Sequence, residues 1–156
     1  MYISVHGKGF NLFKSEVFGC GMVVDIEGIV VKRVMVHDVE KVVPSLGGRF
    51  QLVSADCVEE VLFAALITLR AFERGTNHAK TFGGELLLRL AGTHQIREAI
   101  ELRGAGNGPR YLVVFGSEDE THEFMQRFAL KELEPEHCEE EKLKPMMEKT
   151  ALVEAL

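Results

Sequence analysis

The sequence lacks a long apolar run and a cysteine pair that would suit a metal site. No uninterrupted apolar stretch approaches the ~18 residues of a membrane span, and the first residues do not show the basic and then apolar pattern of a signal peptide. The three cysteines, Cys20, Cys57 and Cys138, form no C-x-x-C pair, which excludes a zinc knuckle and a thioredoxin-like site. We therefore expect a cytoplasmic protein with reduced thiols and no membrane partner.

Motifs that would hold a cofactor or a nucleophile are also missing. There is no Gly-Lys-Ser/Thr after a glycine run, no His-Glu-x-x-His and no Gly-x-Ser-x-Gly. The glycine-rich stretch 104–109 follows a helical pattern and precedes a strand pattern, the reverse of a phosphate-binding loop, so we interpret it as a turn. Cys57 opens a predicted helix, where the dipole would favour a thiolate, but a small buried residue in a cap is the more common case. We expect no catalytic residue, no metal and no cofactor.

What is present is the composition of a globular domain. The 156 residues are 46% hydrophobic and 27% charged, and we expect residues 1–156 to form a single domain. The net charge of −6 is unevenly distributed: residues 131–156 are strongly acidic, whereas residues 70–110 hold more cations than anions. An acidic protein with one basic stretch can still bind nucleic acid.

Strand patterns occupy the first third of the chain and helical patterns the middle. Alternating or β-branched runs predict strands over 2–6, 22–24, 29–36 and 50–53, with a hairpin between the second and third. A later apolar run over 111–115 predicts a strand in the centre of a sheet. Helical spacing, caps and terminal glycines predict helices over 39–46, between an N-cap at Ser54 or Asp56 and Gly75, over 82–91 and 95–102, and from a capping box at Ser117 to about residue 130. This order predicts an α+β fold with a mostly antiparallel sheet packed against helices.

The C-terminal part differs in composition from the rest. Residues 132–141 are acidic and contain Pro135, so we expect a solvated connector there. Beyond it, Pro145 suits the first position of a helix, and residues 145–156 read as a short helix or extended tail. Apolar residues outnumber polar ones in this tail, so we expect it to dock on its own domain or on a partner.

The basic stretch has two interpretations. Its cations lie on consecutive short elements joined by glycine turns, so they can converge on one surface that contacts phosphates, with planar side chains nearby for stacking. Cations interleaved with glutamates are also typical of an ordinary solvated helix face. Within the same stretch we expect Ile96, Ala99 and Ile100 to belong to the core.

Several segments resemble a known family. They are Phe-Gln-Leu-Val-Ser-Ala-Asp at 50–56, Gly-Glu-Leu-Leu-Leu-Arg-Leu-Ala-Gly at 84–92, Gln-Ile-Arg-Glu-Ala-Ile at 95–100 and Met-Glu-Lys-Thr-Ala-Leu-Val-Glu at 147–154. In this order, followed by a glycine-rich turn and an apolar strand, they resemble the kinase-binding subunit of the KEOPS complex, the archaeal counterpart of human TPRKB.

The resemblance implies a non-enzymatic, regulatory subunit. Members of that family bind the small atypical kinase of KEOPS and help to recruit tRNA through its single-stranded 3′ CCA end. The complex makes threonylcarbamoyladenosine, and the transfer chemistry belongs to another subunit. Carried onto this chain, the resemblance implies tRNA-facing candidates at Lys80, Arg89, His94, Gln95, Arg97 and Arg103. It implies kinase-docking candidates at Met147, Ala151, Leu152 and Val153.

Two other function classes stay open. A small-ligand-sensing α+β regulatory domain would use the glycine-rich turn as the rim of a pocket. A hydrolase or transferase without a recognisable motif would need a cleft lined by groups with strongly shifted pKa values.

Overall fold

The computed structural model describes the backbone of residues 4–6, 9–11, 24–26 and 28–155, and side chains from residue 28 to residue 151. The strands are β1 Ser4–His6, β2 Gly9–Asn11, β3 Val24–Ile26, β4 Ile29–Val36, β5 Phe50–Val53, β6 Gly108–Phe115 and β7 Lys131–Leu133. The helices are α1 Val39–Val42, α2 Val58–Arg74, α3 Phe82–Ala91, α4 Ile96–Arg103, α5 Glu118–Arg127 and α6 Glu140–Ala155. A short 3₁₀ turn, Val43–Ser45, follows α1.

The main sheet is antiparallel. Its strand order is β3-β4-β6-β5, and β7 pairs with the end of β4 that β3 leaves open. The predicted hairpin is present as β3 and β4, whereas residues 22 and 23 lie outside the described residues. β1 and β2 form a separate antiparallel pair. The α+β fold of a single domain, with antiparallel strands against helices, is confirmed.

β6 shows how the sheet is buried on both faces. Because successive side chains of a strand point to opposite faces, its apolar run divides between two cores. Tyr111, Val113 and Phe115 face the cluster formed with α2, α3 and α4. Leu112 and Val114 face the cluster that contains Phe124 and Met125 of α5. The central position predicted for this strand is confirmed, since β6 lies between β4 and β5.

Three helix ends follow the glycines and the capping box predicted from the sequence. Gly75 and Gly92 both adopt left-handed backbone conformations, with φ of 73° and 71°, after the last turns of α2 and α3. Ser117 and Glu120 form both hydrogen bonds of the predicted capping box at the start of α5. These termini satisfy backbone groups that would otherwise remain unpaired, so α2 and α3 end, and α5 begins, where the local sequence predicts.

The C-terminal region departs from its prediction. The segment expected to be a solvated connector overlaps β7, and α6 begins at Glu140 instead of at Pro145. Pro145 lies inside that helix, where it cannot donate a backbone hydrogen bond to the preceding turn. The helix that the capping box opens is also shorter than predicted: α5 ends at Arg127 and does not reach residue 130.

The expectation of reduced thiols is wrong for two of the three cysteines. Cys57, the N-cap residue of α2, is disulfide-bonded to Cys138, with Cα atoms 5.0 Å apart. Spacing along the chain is no guide here, because the partners are brought together only when the segment before α6 returns to the start of α2. Among the described residues, no helix is both long and apolar enough to cross a membrane.

Candidate nucleic-acid interface

An apolar groove lies where α3 and α4 meet the turn after α1. Its volume is about 350 Å³. Hydrocarbon side chains form most of its lining, and Gly104 and Ala105 of the glycine-rich turn also line it. Gln51 and Thr81 contribute polar groups to the lining. This combination of an apolar lining and a few polar groups is typical of sites that bind small organic molecules.

Two isoleucines of α4 form an exposed part of the groove wall. Ile96 is 45% and Ile100 is 53% exposed, although Ala99 between them is fully buried. The expectation that all three belong to the core is therefore right for Ala99 and wrong for the isoleucines. Since α4 has only two turns and its neighbours cover the Ala99 side, part of its apolar arc is left facing solvent.

Three polar candidates lie next to the groove along the chain. Lys80 immediately precedes Thr81, while Gln95 and Arg97 flank Ile96; all three side chains are exposed. Lysine and arginine side chains at such positions have the reach to contact phosphates beside a groove. The structure thus places all three candidates next in the chain to residues that line the groove, with their side chains exposed.

Two histidines close in sequence to these candidates form an aromatic contact. The ring centroids of His78 and His94 lie 4.0 Å apart, at an interplanar angle of 31°. His94 is one of the tRNA-facing candidates implied by the resemblance, whereas His78 was not identified from the sequence. Both side chains are exposed, so this pair links the segment before α3 to the segment before α4.

Arg89 does not face solvent, which corrects its assignment to the tRNA-facing set. Its side chain is fully buried, and its Nε donates to Glu85 Oε2 at 2.7 Å. A guanidinium in this place cannot contact a phosphate on the surface. Its role is internal, because it pairs with a carboxylate one turn earlier on α3.

Arg103 is also held by its own protein. Its guanidinium donates two hydrogen bonds to Glu60, at 2.8 and 3.3 Å, and one to the carbonyl oxygen of Ser54. The side chains of Arg103 and Glu60 are 18% and 7% exposed. These contacts join the end of α4 to α2, so the role that the structure shows for Arg103 is structural.

The kinase-docking candidates lie on α6 and differ in exposure. Met147 is half-buried and packs against the core cluster formed with α2, α3 and α4, whereas Ala151 is exposed. Leu152 and Val153 belong to the helix, but their side chains lie outside the described residues. A second groove of about 240 Å³ runs beside Ala151, along the Leu66–Ala71 side of α2.

The residues around the disulfide hold the segment that contains Cys138 against the start of α2. Both oxygens of Glu59 accept hydrogen bonds, one from the backbone N–H of Cys138 and the other shared with His137 Nδ1. Cys57, Glu59 and Cys138 bring potential ligand atoms within 4.8 Å of one another, but the two sulfurs are bonded together and are not thiolate ligands.

Two groups with shifted pKa values also have structural explanations. Burial raises the pKa of Tyr111, and its hydroxyl both donates to and accepts from the backbone of Glu136. The hydrogen bond from the Ser117 backbone lowers the pKa of Glu120, and the contact with Arg49 lowers it further. Neither residue lines the apolar groove, so these shifts do not mark the groove as a catalytic cleft.

Comparison with known proteins identifies a similar sequence. No family model matches the chain. It is 39% identical over 123 residues to the protein named KEOPS complex subunit Cgi121 from Pyrococcus abyssi (strain GE5 / Orsay). The aligned region covers 77% of this chain and 72% of that protein.

Proposed function

This chain belongs to the Cgi121 family of KEOPS complex subunits, and we propose that it acts there as a non-catalytic subunit that binds the small atypical kinase and recruits tRNA through its 3′ CCA end. In this role it delivers tRNA for threonylcarbamoyladenosine modification, while another subunit carries out the chemistry. Its partners are the kinase, tRNA and, through them, the other KEOPS subunits.

The exposed apolar groove is the observation that carries the tRNA proposal. A single-stranded RNA end presents unpaired bases, which need apolar or planar surface, and phosphates, which need cations. Ile96 and Ile100 supply apolar surface, while Lys80 and Arg97 are exposed next to groove-lining residues in the sequence. His94 and Gln95 add an imidazole and an amide at the start of α4.

The overall charge makes such a local arrangement necessary. At a net charge of −6, the whole protein repels a polyanion at long range. Recognition must therefore depend on a few well-placed cations and on base contacts. We expect a shallow salt dependence, with a slope of about −1.4 if Lys80 and Arg97 each neutralise one phosphate of a single strand.

The experiment for this part compares one tRNA with and without its CCA end. We expect the intact tRNA to bind more tightly at every salt concentration, because only it can fill the groove. Equal affinity for the two tRNAs would overturn the recruiting role. Fragments that carry only the acceptor end serve as matched probes. The fragment with CCA should bind more tightly than the fragment without it.

The kinase proposal depends on the C-terminal half of α6. Ala151 is exposed beside an open groove on α2, and two apolar residues, Leu152 and Val153, follow it in the helix. An apolar helix end beside a groove is suited to pack against a partner domain. We propose that Met147 supports this surface by anchoring α6, because its side chain packs against the core of this protein.

Co-purification tests this surface. Leu152→Glu should place a charge in an apolar interface and abolish capture of the kinase. Gln126→Glu adds the same charge on α5, across the sheet, and should leave capture unchanged. If Leu152→Glu captured the kinase as well as the natural protein does, α6 would not belong to the interface.

The groove also suits the ligand-sensing alternative. Gly104 and Ala105 form part of its rim, as that alternative requires of the glycine-rich turn. A small ligand would raise the melting temperature without any tRNA or kinase. A melting temperature that rises with a metabolite, together with indifference to the CCA end, would favour this alternative.

A further inference from the structure

A buried ion pair lies directly behind the segment that borders the groove. Glu85 and Arg89, one turn apart on α3, have no exposed side-chain surface, and Arg89 Nε donates to Glu85 Oε2 at 2.7 Å. Transferring two charged groups from water into a protein interior is costly, and apolar replacements of similar volume often serve stability equally well. The pair therefore calls for an explanation other than stability.

The second oxygen of Glu85 supplies that explanation. Glu85 Oε1 accepts the backbone N–H groups of His78 and Ala79, at 2.6 and 2.7 Å. Hydrogen bonds from backbone N–H groups to a carboxylate are charge-assisted and stronger than neutral ones. One carboxylate oxygen thus fixes two consecutive peptide groups of the segment 77–81, while Arg89 holds the other oxygen and so sets the orientation of the carboxylate.

The same segment is joined to the groove by further contacts. Thr81 caps α3 by accepting from the backbone N–H of Gly84, and it lines the groove. A β-carbon on Gly84 would lie 3.2 Å from Ala79 Cβ and 3.8 Å from Ile96 Cδ1, so the segment and the groove wall meet at this glycine. The His78 and His94 rings continue the contact toward α4.

We propose that Glu85 and Arg89 are positioning residues for RNA binding: through the backbone of His78 and Ala79 they hold Lys80, Thr81 and the histidine pair at the edge of the groove. This inference rests on the proposed tRNA role of the groove. It replaces direct phosphate contact by Arg89 with an indirect role, because the buried arginine acts on the RNA site through Glu85 and the segment that Glu85 holds.

Two double variants separate this role from simple stability. In Glu85→Leu/Arg89→Met, both charges of the pair are removed together, and the acceptor for the two N–H groups is lost. In Glu85→Gln/Arg89→Met, the charges are also removed, but an amide oxygen can still accept from His78 and Ala79. The second variant is therefore the matched control.

Amide hydrogen exchange reports on the segment without any RNA. In the natural protein, we expect the N–H groups of His78 and Ala79 to exchange slowly. In Glu85→Leu/Arg89→Met they should exchange at least about tenfold faster, as for the loss of a hydrogen bond worth about 1.4 kcal/mol. In Glu85→Gln/Arg89→Met they should stay protected. Fast exchange in the natural protein would overturn the inference even if neither variant folded.

Binding of the tRNA acceptor end is the second readout. We expect Glu85→Leu/Arg89→Met to bind about tenfold more weakly, the scale expected when one stacking or phosphate contact is lost, and the glutamine variant to recover most of that loss. Unchanged RNA affinity in the leucine variant, with faster exchange, would overturn the positioning role. If the natural protein itself bound no tRNA, the proposed function would fail, while the exchange results would still test how the segment is held.

Discussion

Cys57 and Cys138 join the start of α2 to the segment before α6 through a disulfide between positions 81 residues apart. The same junction is held by a 2.7 Å backbone hydrogen bond from Val58 to Glu136 and by Glu59, which accepts from the Cys138 N–H. The covalent bond therefore closes a contact that the chain also makes by hydrogen bonding. α6 follows directly, so the disulfide also limits where the proposed kinase-docking helix can lie.

Reduction of the disulfide should lower the stability of the protein. Closing a loop of this length restricts the unfolded chain by about 4 kcal/mol in the chain-entropy description. In a Cys20→Ser background, we expect dithiothreitol to lower the free energy of unfolding in urea by about that amount. A variant with all three cysteines replaced by serine should not respond to the reductant. Three titratable thiols in the natural protein, denatured without reductant, would contradict the disulfide.

Replacing the two arginines of α4 should have opposite effects on stability and on tRNA binding. Arg103→Met removes the partner of the nearly buried Glu60 and should lower the free energy of unfolding by about 2–3 kcal/mol. Arg97→Met changes an exposed side chain and should alter stability by less than about 0.5 kcal/mol, yet weaken tRNA binding. Urea unfolding and tRNA titration of both variants check this. A stable Arg103→Met protein with strongly reduced RNA affinity would reverse the roles assigned to the two residues.

Much of the fold could be predicted because its signals are local. The capping box at Ser117, the glycines after α2 and α3, and the apolar run of β6 all depend on neighbouring residues, and the structure confirms them. β7 was not predicted, because Lys131–Leu133 is too short to show a period and becomes a strand only by pairing with Arg33–Met35 of β4.

The candidate site was harder to predict, since it depends on which side of each helix is covered. Glu85 and Arg89 have the four-residue spacing of a surface ion pair, and nothing in that spacing reveals that both are buried. Ile96 and Ile100 have the spacing of core residues, but the neighbours that bury Ala99 do not extend over them. The disulfide partners lie 81 positions apart, a distance at which spacing carries no signal.

Gly83 should not tolerate a side chain. In the interior of a helix, glycine to alanine normally stabilises by about 1 kcal/mol. Here a β-carbon would lie 2.7 Å from Gln51 Oε1 and 2.7 Å from the backbone of Gly47, two residues that line the groove. We expect Gly83→Ala to destabilise by about 1–3 kcal/mol in urea unfolding.

Gly48→Ala is the control for this close approach. A β-carbon at Gly48 meets nothing within 4 Å, so this variant should be neutral or slightly stabilising. A Gly83→Ala protein as stable as the natural one would show that α3 does not approach the turn after α1 this closely.

The capping box at the start of α5 predicts a pH dependence. The pKa of Glu120 is lowered from the ordinary 4.5, first by the Ser117 backbone N–H and then by Arg49, so the ionised form is the one that stabilises the fold. The contribution is present in full above the unfolded pKa and is lost as the pH falls through the lowered folded pKa. Glu120→Gln should therefore have a lower urea midpoint than the natural protein at pH 7, and the difference should close in acid.

Glu123→Gln removes a carboxylate from the same helix outside the capping box and controls for net charge. Its difference from the natural protein should be smaller than that of Glu120→Gln at pH 7. A Glu120→Gln difference that widened in acid would have the wrong sign for a carboxylate stabilised in its ionised form.

The most direct test of the account compares two exposed apolar residues of α4. Ile100 lines the groove and is 53% exposed, whereas Leu102 is 57% exposed and is not among the groove-lining residues. Intact tRNA and tRNA without its CCA end are titrated against Ile100→Ser and Leu102→Ser. We predict that Ile100→Ser loses the preference for the intact tRNA and that Leu102→Ser keeps it; a preference unchanged in Ile100→Ser would contradict the assignment of this groove to the 3′ end of tRNA.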